Sequence, residues 1–293
     1  MVSAASVALA CLFSLQSPPI QLRQDTYGSY FFQAAADPQK CNTVLLLIHG
    51  TPAQEDISGQ RSAQSYIQRW STWAAQRNIA VLTPAFDQPN FASLSQGRRG
   101  LGGGYRGLFG RTIDADAWTN RLLDQVGATL PQWDKQVLLF GHSAGGQFCA
   151  RYILRHPQRI RACVISSPAA FPIPDASLNW PDGARPRTFR MDWGDGVKEF
   201  HAGEGVSAWV RVLSLPVYLL VGDQDTERYQ NPFPGSKAMD HIEAVHEWYE
   251  TMGSLAKQHS LPFTWRKTIA PGQPHSSSRL APWAMEWFDA YVK

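Results

Sequence analysis

Cysteine is scarce, a dominant charge sign is missing and no apolar run reaches membrane length. Each shortage removes a class of protein. The 293 residues hold four cysteines, Cys11, Cys41, Cys149 and Cys163. None sits in the C-x-x-C spacing of a zinc or redox site, and so few cannot staple a small scaffold. The expectation is no metal and no cofactor, with Cys149 and Cys163 as small buried thiols. Lys and Arg number 27 against 24 Asp and Glu, a net charge of +3, too even for capture of nucleic acid. The apolar run at residues 4–15 has about the length of a signal-peptide core, is too short to span a bilayer, and lacks basic residues ahead of it. Residues 1–26 are therefore read as a tail or a possible signal segment. The location stays open between export and the cytoplasm, with no stable membrane span.

What is abundant is apolar and aromatic. Hydrophobic residues make up 44% and tryptophans number 11, enough for a sizeable core, with an aromatic-lined cleft as the functional alternative for the tryptophans. Residues 27–32 suggest a strand, and Val44-Leu45-Leu46-Leu47-Ile48 is a continuous apolar run ending at His49-Gly50. Such runs suit strands covered on both faces, as in a parallel sheet between helices. Helical spacing follows over residues 62–77, a strand over 79–86, and a helix opened by Asp114 over 114–131. A strand at 137–140, a helix ending before Pro157 and a strand at 162–166 continue the alternation, which predicts right-handed parallel crossovers. Residues 167–213, rich in proline and without sustained period, read as a cap insertion. Beyond them come a strand at 216–221, a helix over 236–257, a strand at 263–269 and a closing helix at 280–292.

The glycine- and arginine-rich loop at 96–111 contains Gly102-Gly103-Gly104-Tyr105-Arg106-Gly107, formally G-x-G-x-x-G. A dinucleotide site is rejected, because the fingerprint needs a strand directly before it and the preceding residues are loop-like. His246-Glu247-x-x-Glu250 lacks the second histidine of a zincin.

One motif organises the rest. Gly141-His142-Ser143-Ala144-Gly145 is Gly-x-Ser-x-Gly at the end of the 137–140 strand and the start of a helix. A serine on so sharp a turn is strained, and glycines two residues to either side remove the collisions. Alone the motif means little, since roughly a tenth of a match is expected by chance in such a chain. A serine hydroxyl also needs a base and a group to orient that base. Of the eight histidines, only His275 lies in the loop after the final strand, where functional groups of an open parallel sheet gather. His241 and His246 are assigned to the sides of a long helix. Asp225, just past the strand ending at Val221, is favoured as the acid over Asp223, which better suits the turn, and Asp175. The backbone N–H groups of Ala144 and Thr51 are candidate oxyanion donors. His49 can serve merely to fix its loop.

Gly141-His142-Ser143-Ala144-Gly145, the order Ser143, Asp225, His275, and His49-Gly50 after an apolar strand together resemble the α/β-hydrolase superfamily, from about Tyr27 onward. The resemblance implies an α/β fold with a mostly parallel sheet of about eight strands, a small cap after the 162–166 strand, and an acyl-enzyme on Ser143 released by water that His275 activates. The single His-Gly departs from the His-Gly-Gly-Gly run of one lipase and esterase branch. The small cap argues against long-chain lipases. The expected activity is cleavage of a small carboxylic ester. Amide or peptide hydrolysis, another cofactorless triad reaction, and a non-catalytic binding role remain alternatives. Nothing in the sequence sets the oligomeric state.

Overall fold

The apolar runs become strands buried on both faces. The computed structural model describes residues 17–91, 104–192 and 197–293; the apolar run at 4–15 and the first half of the 96–111 loop, including Arg98 and Arg99, lie outside them. In chain order the elements are β1 (Ile20–Gln24), β2 (Ser29–Gln33), β3 (Val44–Ile48), α1 (Gln60–Gln76), β4 (Ala80–Pro84), the single turn α2 (Gln88–Phe91), α3 (Ala115–Gly127), β5 (Val137–His142), α4 (Ala144–Arg155) and β6 (Ile160–Ser166). There follow β7 (Arg187–Asp192), β8 (Val197–Ala202), α5 (Ser207–Val212), β9 (Val217–Gly222), α6 (His241–Gln258), β10 (Arg266–Ala270) and α7 (Ser277–Phe288).

Eight strands form one sheet in the order β1-β2-β4-β3-β5-β6-β9-β10. It is parallel from β4 to β10, with β1 and β2 antiparallel at one edge. Along β3, Val44, Leu46 and Ile48 join the core under α3, α4 and α6, while Leu45 and Leu47 join the core under α1 and α7. Successive side chains of a strand point to opposite faces, so a sheet covered twice requires an unbroken apolar run rather than alternation. The first core takes Trp118, Phe148 and Trp248; the second takes Tyr66, Trp70 and Phe288. Trp70, Trp118, Trp180, Trp209 and Trp248 are all fully buried, so these tryptophans serve packing.

Several expectations need correction. The sheet starts ahead of residue 27, because β1 pairs with β2 from Ile20 to Gln24. Residues 167–213 contain regular structure, an antiparallel β7–β8 pair and α5; the two short strands pair only with each other, which leaves little periodic signal. Asp114 occupies the N-cap of α3 without capping it through its side chain. Its carboxylate meets the Lys198 ammonium at 2.8 Å instead. The described end of the glycine-rich loop, Gly104–Gly107, is one 3-10 turn.

The strand order reverses around β3: the chain passes from β3 to β4 on one side and returns to β5 on the other. Loops leaving neighbouring strands at such a point diverge and open a crevice at their carboxyl ends. The loops after β3 and β5 begin with His49-Gly50-Thr51 and Ser143.

Candidate active site

Ser143 has φ 57° and ψ −118°, a conformation few side chains tolerate. Close packing around it enforces the turn. A Cβ on Gly145 would lie 2.2 Å from the Ile48 carbonyl oxygen, and one on Gly141 would lie 2.2 Å from that of Gly145. Only glycine lets β5, α4 and the end of β3 approach so closely. The Ser143 N–H donates to the Ser166 carbonyl at 2.9 Å and its carbonyl accepts from Gln147 N–H at 3.1 Å. The backbone is thereby fixed while the side chain opens into a cavity of about 440 Å³, lined also by Thr51, Tyr66, His142, His275 and Ser277. Among the described residues no tryptophan lines it.

His275 reaches this cavity from the loop between β10 and α7, and its Nδ1–H donates to Asp225 Oδ2 at 2.8 Å. The pairing depends on two loops held together. The Gln224 N–H donates to the Gln273 carbonyl at 3.0 Å, and Gln273 N–H donates to the Asp223 carboxylate at 3.2 Å. Asp223 thus shapes the turn and Asp225 faces the histidine, as the spacing suggests. Asp175 is exposed and accepts from Ser177 N–H.

The position of His241 differs from the expectation. Rather than lying on the side of a long helix, it is buried, with Nδ1 3.0 Å from Asp225 Oδ1. Asp225 therefore meets one imidazole at each oxygen. Burial works against its ionisation, but hydrogen bonds from His241 and His275 and their charges outweigh this and hold the carboxyl well below the ordinary range. The helix begins at 241 and not at 236. Asp240-His241-Ile242-Glu243 reads as Asp-x-x-Glu, a capping signal, and Asp240 accepts from Glu243 N–H at 2.8 Å. A start at 241 sets His241 in the first turn, beside the loop that follows β9. The ligand-type atoms of Asp225, His241 and His275 lie within 4.8 Å of one another, and the short contacts among them are of hydrogen-bond length.

The His275 ring lies between two others, with centroids 4.6 Å from His142 and 4.5 Å from His241. His142 Nδ1 meets the Ser166 hydroxyl at 3.0 Å. Burial, reinforced by the charge of His275, lowers His142 to about 3, so at neutral pH it packs against His275 uncharged.

The loop after β3 presents the second amide. His49 Nδ1–H donates to the Gly50 carbonyl at 2.7 Å, Tyr105 Oη–H donates to the same oxygen at 2.9 Å, and Gly50 N–H donates to Tyr66 Oη at 3.1 Å. In a trans peptide the C=O and the next N–H point oppositely, so anchoring the Gly50 oxygen aims the Thr51 N–H. Neither the Thr51 nor the Ala144 amide has an acceptor among the described residues. His49 Nε2 accepts from Phe86 N–H at 3.1 Å, and burial lowers its pKa to about 4. It fixes a loop and carries no charge in the working range.

A pH effect follows from His49 and His142. Both have native pKa values below the ordinary 6.5, so between those values the unfolded chain binds protons that the native chain refuses. Their contribution is complete above 6.5 and is lost as pH falls, toward about 4 for His49 and about 3 for His142. For His49 alone the loss amounts to roughly 3 kcal/mol. The urea midpoint is expected to drop steeply between pH 7 and pH 4.5, and less steeply in His49→Gln, whose amide can donate and accept as the imidazole does. Equal slopes would refute the assignment.

Comparison with known proteins agrees with this architecture. The family model described as alpha/beta hydrolase fold matches residues 43–196, and the chain belongs to that family. No curated protein sequence matches it. Among solved structures it is similar to poly(aspartic acid) hydrolase-1 from Sphingomonas sp. KT-1, with 20% identity, a TM-score of 0.69, and coverage of 92% of this chain and 98% of that one. It is also similar to LpqC, a poly(3-hydroxybutyrate) depolymerase from Bordetella parapertussis, with 23% identity, a TM-score of 0.64, and coverage of 90% and 85%. A third similar structure is the S-formylglutathione hydrolase FrmB from Staphylococcus aureus, at 13% identity, a TM-score of 0.53, and coverage of 94% and 98%.

Proposed function

We propose that the chain is a serine hydrolase that cleaves carboxylic esters through an acyl-enzyme on Ser143. The observation that carries this is the 2.8 Å bond from His275 Nδ1 to the buried Asp225, on a histidine lining the same cavity as the strained Ser143. With Nδ1–H held by Asp225, the Nε2 lone pair is free to take a proton. Ser143 Oγ attacks the carbonyl carbon as its proton passes to His275. The resulting oxyanion is held by the Thr51 and Ala144 N–H groups, each worth about 3 kcal/mol in such sites. Collapse expels the alcohol, which takes the proton from His275. Water then loses a proton to His275, attacks the acyl carbon, and releases the carboxylic acid and free Ser143. The hydrolases and depolymerase among the similar structures support the same class of reaction.

Labelling with a fluorophosphonate probe tests the reading. One adduct per chain is expected, on Ser143, and none in His275→Ala within the same exposure. A folded protein that stays unlabelled at Ser143 would sink the mechanism.

A further inference from the structure

Two guanidinium groups beside the cavity lack a carboxylate partner. Arg69, half-buried on α1, donates from Nη1 to the Ser277 hydroxyl at 2.9 Å and lies 5.4 Å from the centre of the Tyr66 ring. Arg106, half-buried in the 3-10 turn, donates from Nη2 to the Thr51 hydroxyl at 2.6 Å. Ser277, Tyr66 and Thr51 all line the cavity. Among the described residues neither arginine meets a carboxylate. Elsewhere the half-buried or buried Arg77, Arg151, Arg155, Arg159 and Arg161 each do, whereas the half-buried Arg23, on β1, donates to the Gln21 amide oxygen.

A guanidinium carries five N–H donors and stays charged. Removing it partly from water without a counter-ion is costly unless an anion arrives to meet it. Burial already lowers Arg69 below its ordinary value, and the group that opposes the shift is the Tyr66 phenol, not a carboxylate. Arg61, the other cation on this stretch of α1, is paired with Glu55 at 3.9 Å and Asp56 at 4.0 Å. Among the described residues no carboxylate lines the cavity, and the Asp225 side chain is fully buried. The lining is instead rich in hydroxyls, with Ser62, Ser65, Ser276 and Ser277 beside Thr51.

We infer that the cavity takes a carbonyl substrate bearing a carboxylate beyond the bond to be cleaved, held from the Arg69 and Arg106 sides of the cleft. The inference rests on the hydrolase reading for its kinetics but not for its binding. The planar fork of arginine matches a carboxylate's two oxygens, and serine and threonine hydroxyls satisfy the remaining lone pairs.

The test compares mono-4-nitrophenyl adipate, an anion, with its neutral methyl ester. The ratio of their kcat/KM values cancels any general loss of catalytic capacity. At low salt the ratio is expected to favour the anion by about tenfold or more, and to fall by about fivefold in Arg69→Gln and again in Arg106→Gln. A ratio of one or below, or one unchanged in both variants, overturns the inference. Adipate is also titrated into folded Ser143→Ala while thermal unfolding is followed. A rise in midpoint that disappears when Arg69→Gln and Arg106→Gln are added supports the site, and no rise at saturating adipate overturns it. If neither ester is cleaved but the adipate shift persists, the hydrolase reading falls while the anion site stands.

Discussion

Ser143→Ala is expected to lower kcat for ester hydrolysis by on the order of 10⁴- to 10⁶-fold, with any residual rate coming from the oxyanion donors and binding alone. The protein should remain folded, because alanine keeps the Cβ and leaves the backbone bonds of residue 143 to Ser166 and Gln147 intact. Ser143→Gly carries a second expectation. The φ of 57° strains any residue with a Cβ, so glycine should abolish activity and stabilise the fold by about 1 kcal/mol. Initial rates with a short nitrophenyl ester, set beside thermal melts of the three proteins, check both. Hydrolysis by Ser143→Ala within tenfold of wild type would remove Ser143 from the mechanism.

Asp225→Asn is expected to cost about 10³- to 10⁴-fold in kcat, or roughly 4–5 kcal/mol of barrier. The reason is tautomeric. The carboxylate accepts from His275 Nδ1–H at 2.8 Å and leaves Nε2 as the ring nitrogen without a proton. An asparagine NH₂ facing Nδ1 would make it an acceptor and move the proton to Nε2, where it blocks the general base. His241 modifies this expectation. With Nδ1 3.0 Å from the other oxygen, it competes for the single remaining carbonyl of the amide, which cannot face both imidazoles as the two carboxylate oxygens do. Removing the competitor in His241→Ala, Asp225→Asn should restore part of the lost rate. His241→Ala alone should lower kcat more than it raises KM, since it frees Asp225 to tilt away from His275. A double variant no faster than Asp225→Asn would show that His241 plays no part in aligning Asp225.

The parts of this arrangement differ in how legible they are in the sequence. Ser143 is readable because its requirement is local: a strained turn between a buried strand and a helix needs small neighbours within two residues. His275 and Asp225 are readable by elimination, since Asp225 follows the apolar strand β9 and His275 the final strand β10, and the carboxyl ends of parallel strands share one edge. His241 is not, because its role depends on where a helix begins. A shift of five residues in that start moves it from an exposed side to the first turn. The β7–β8 pair is equally obscure, its two strands pairing only with each other.

By itself the sequence determined the reaction edge of the sheet. Unbroken apolar runs require strands covered on both faces, covered parallel strands require crossovers, and crossovers bring Ser143, Asp225 and His275 to the same side. What only the tertiary structure decided is everything set by the approach of segments far apart in the chain. These are the two imidazoles on one carboxylate, the aiming of the Thr51 amide through the Gly50 carbonyl by His49 and Tyr105, and the two guanidinium groups left without acids beside a hydroxyl-lined cavity. Periodicity carries information about a residue's own element and the face it presents. Hydrogen bonds and charge balance depend on distances between elements, which exist only once the chain has folded.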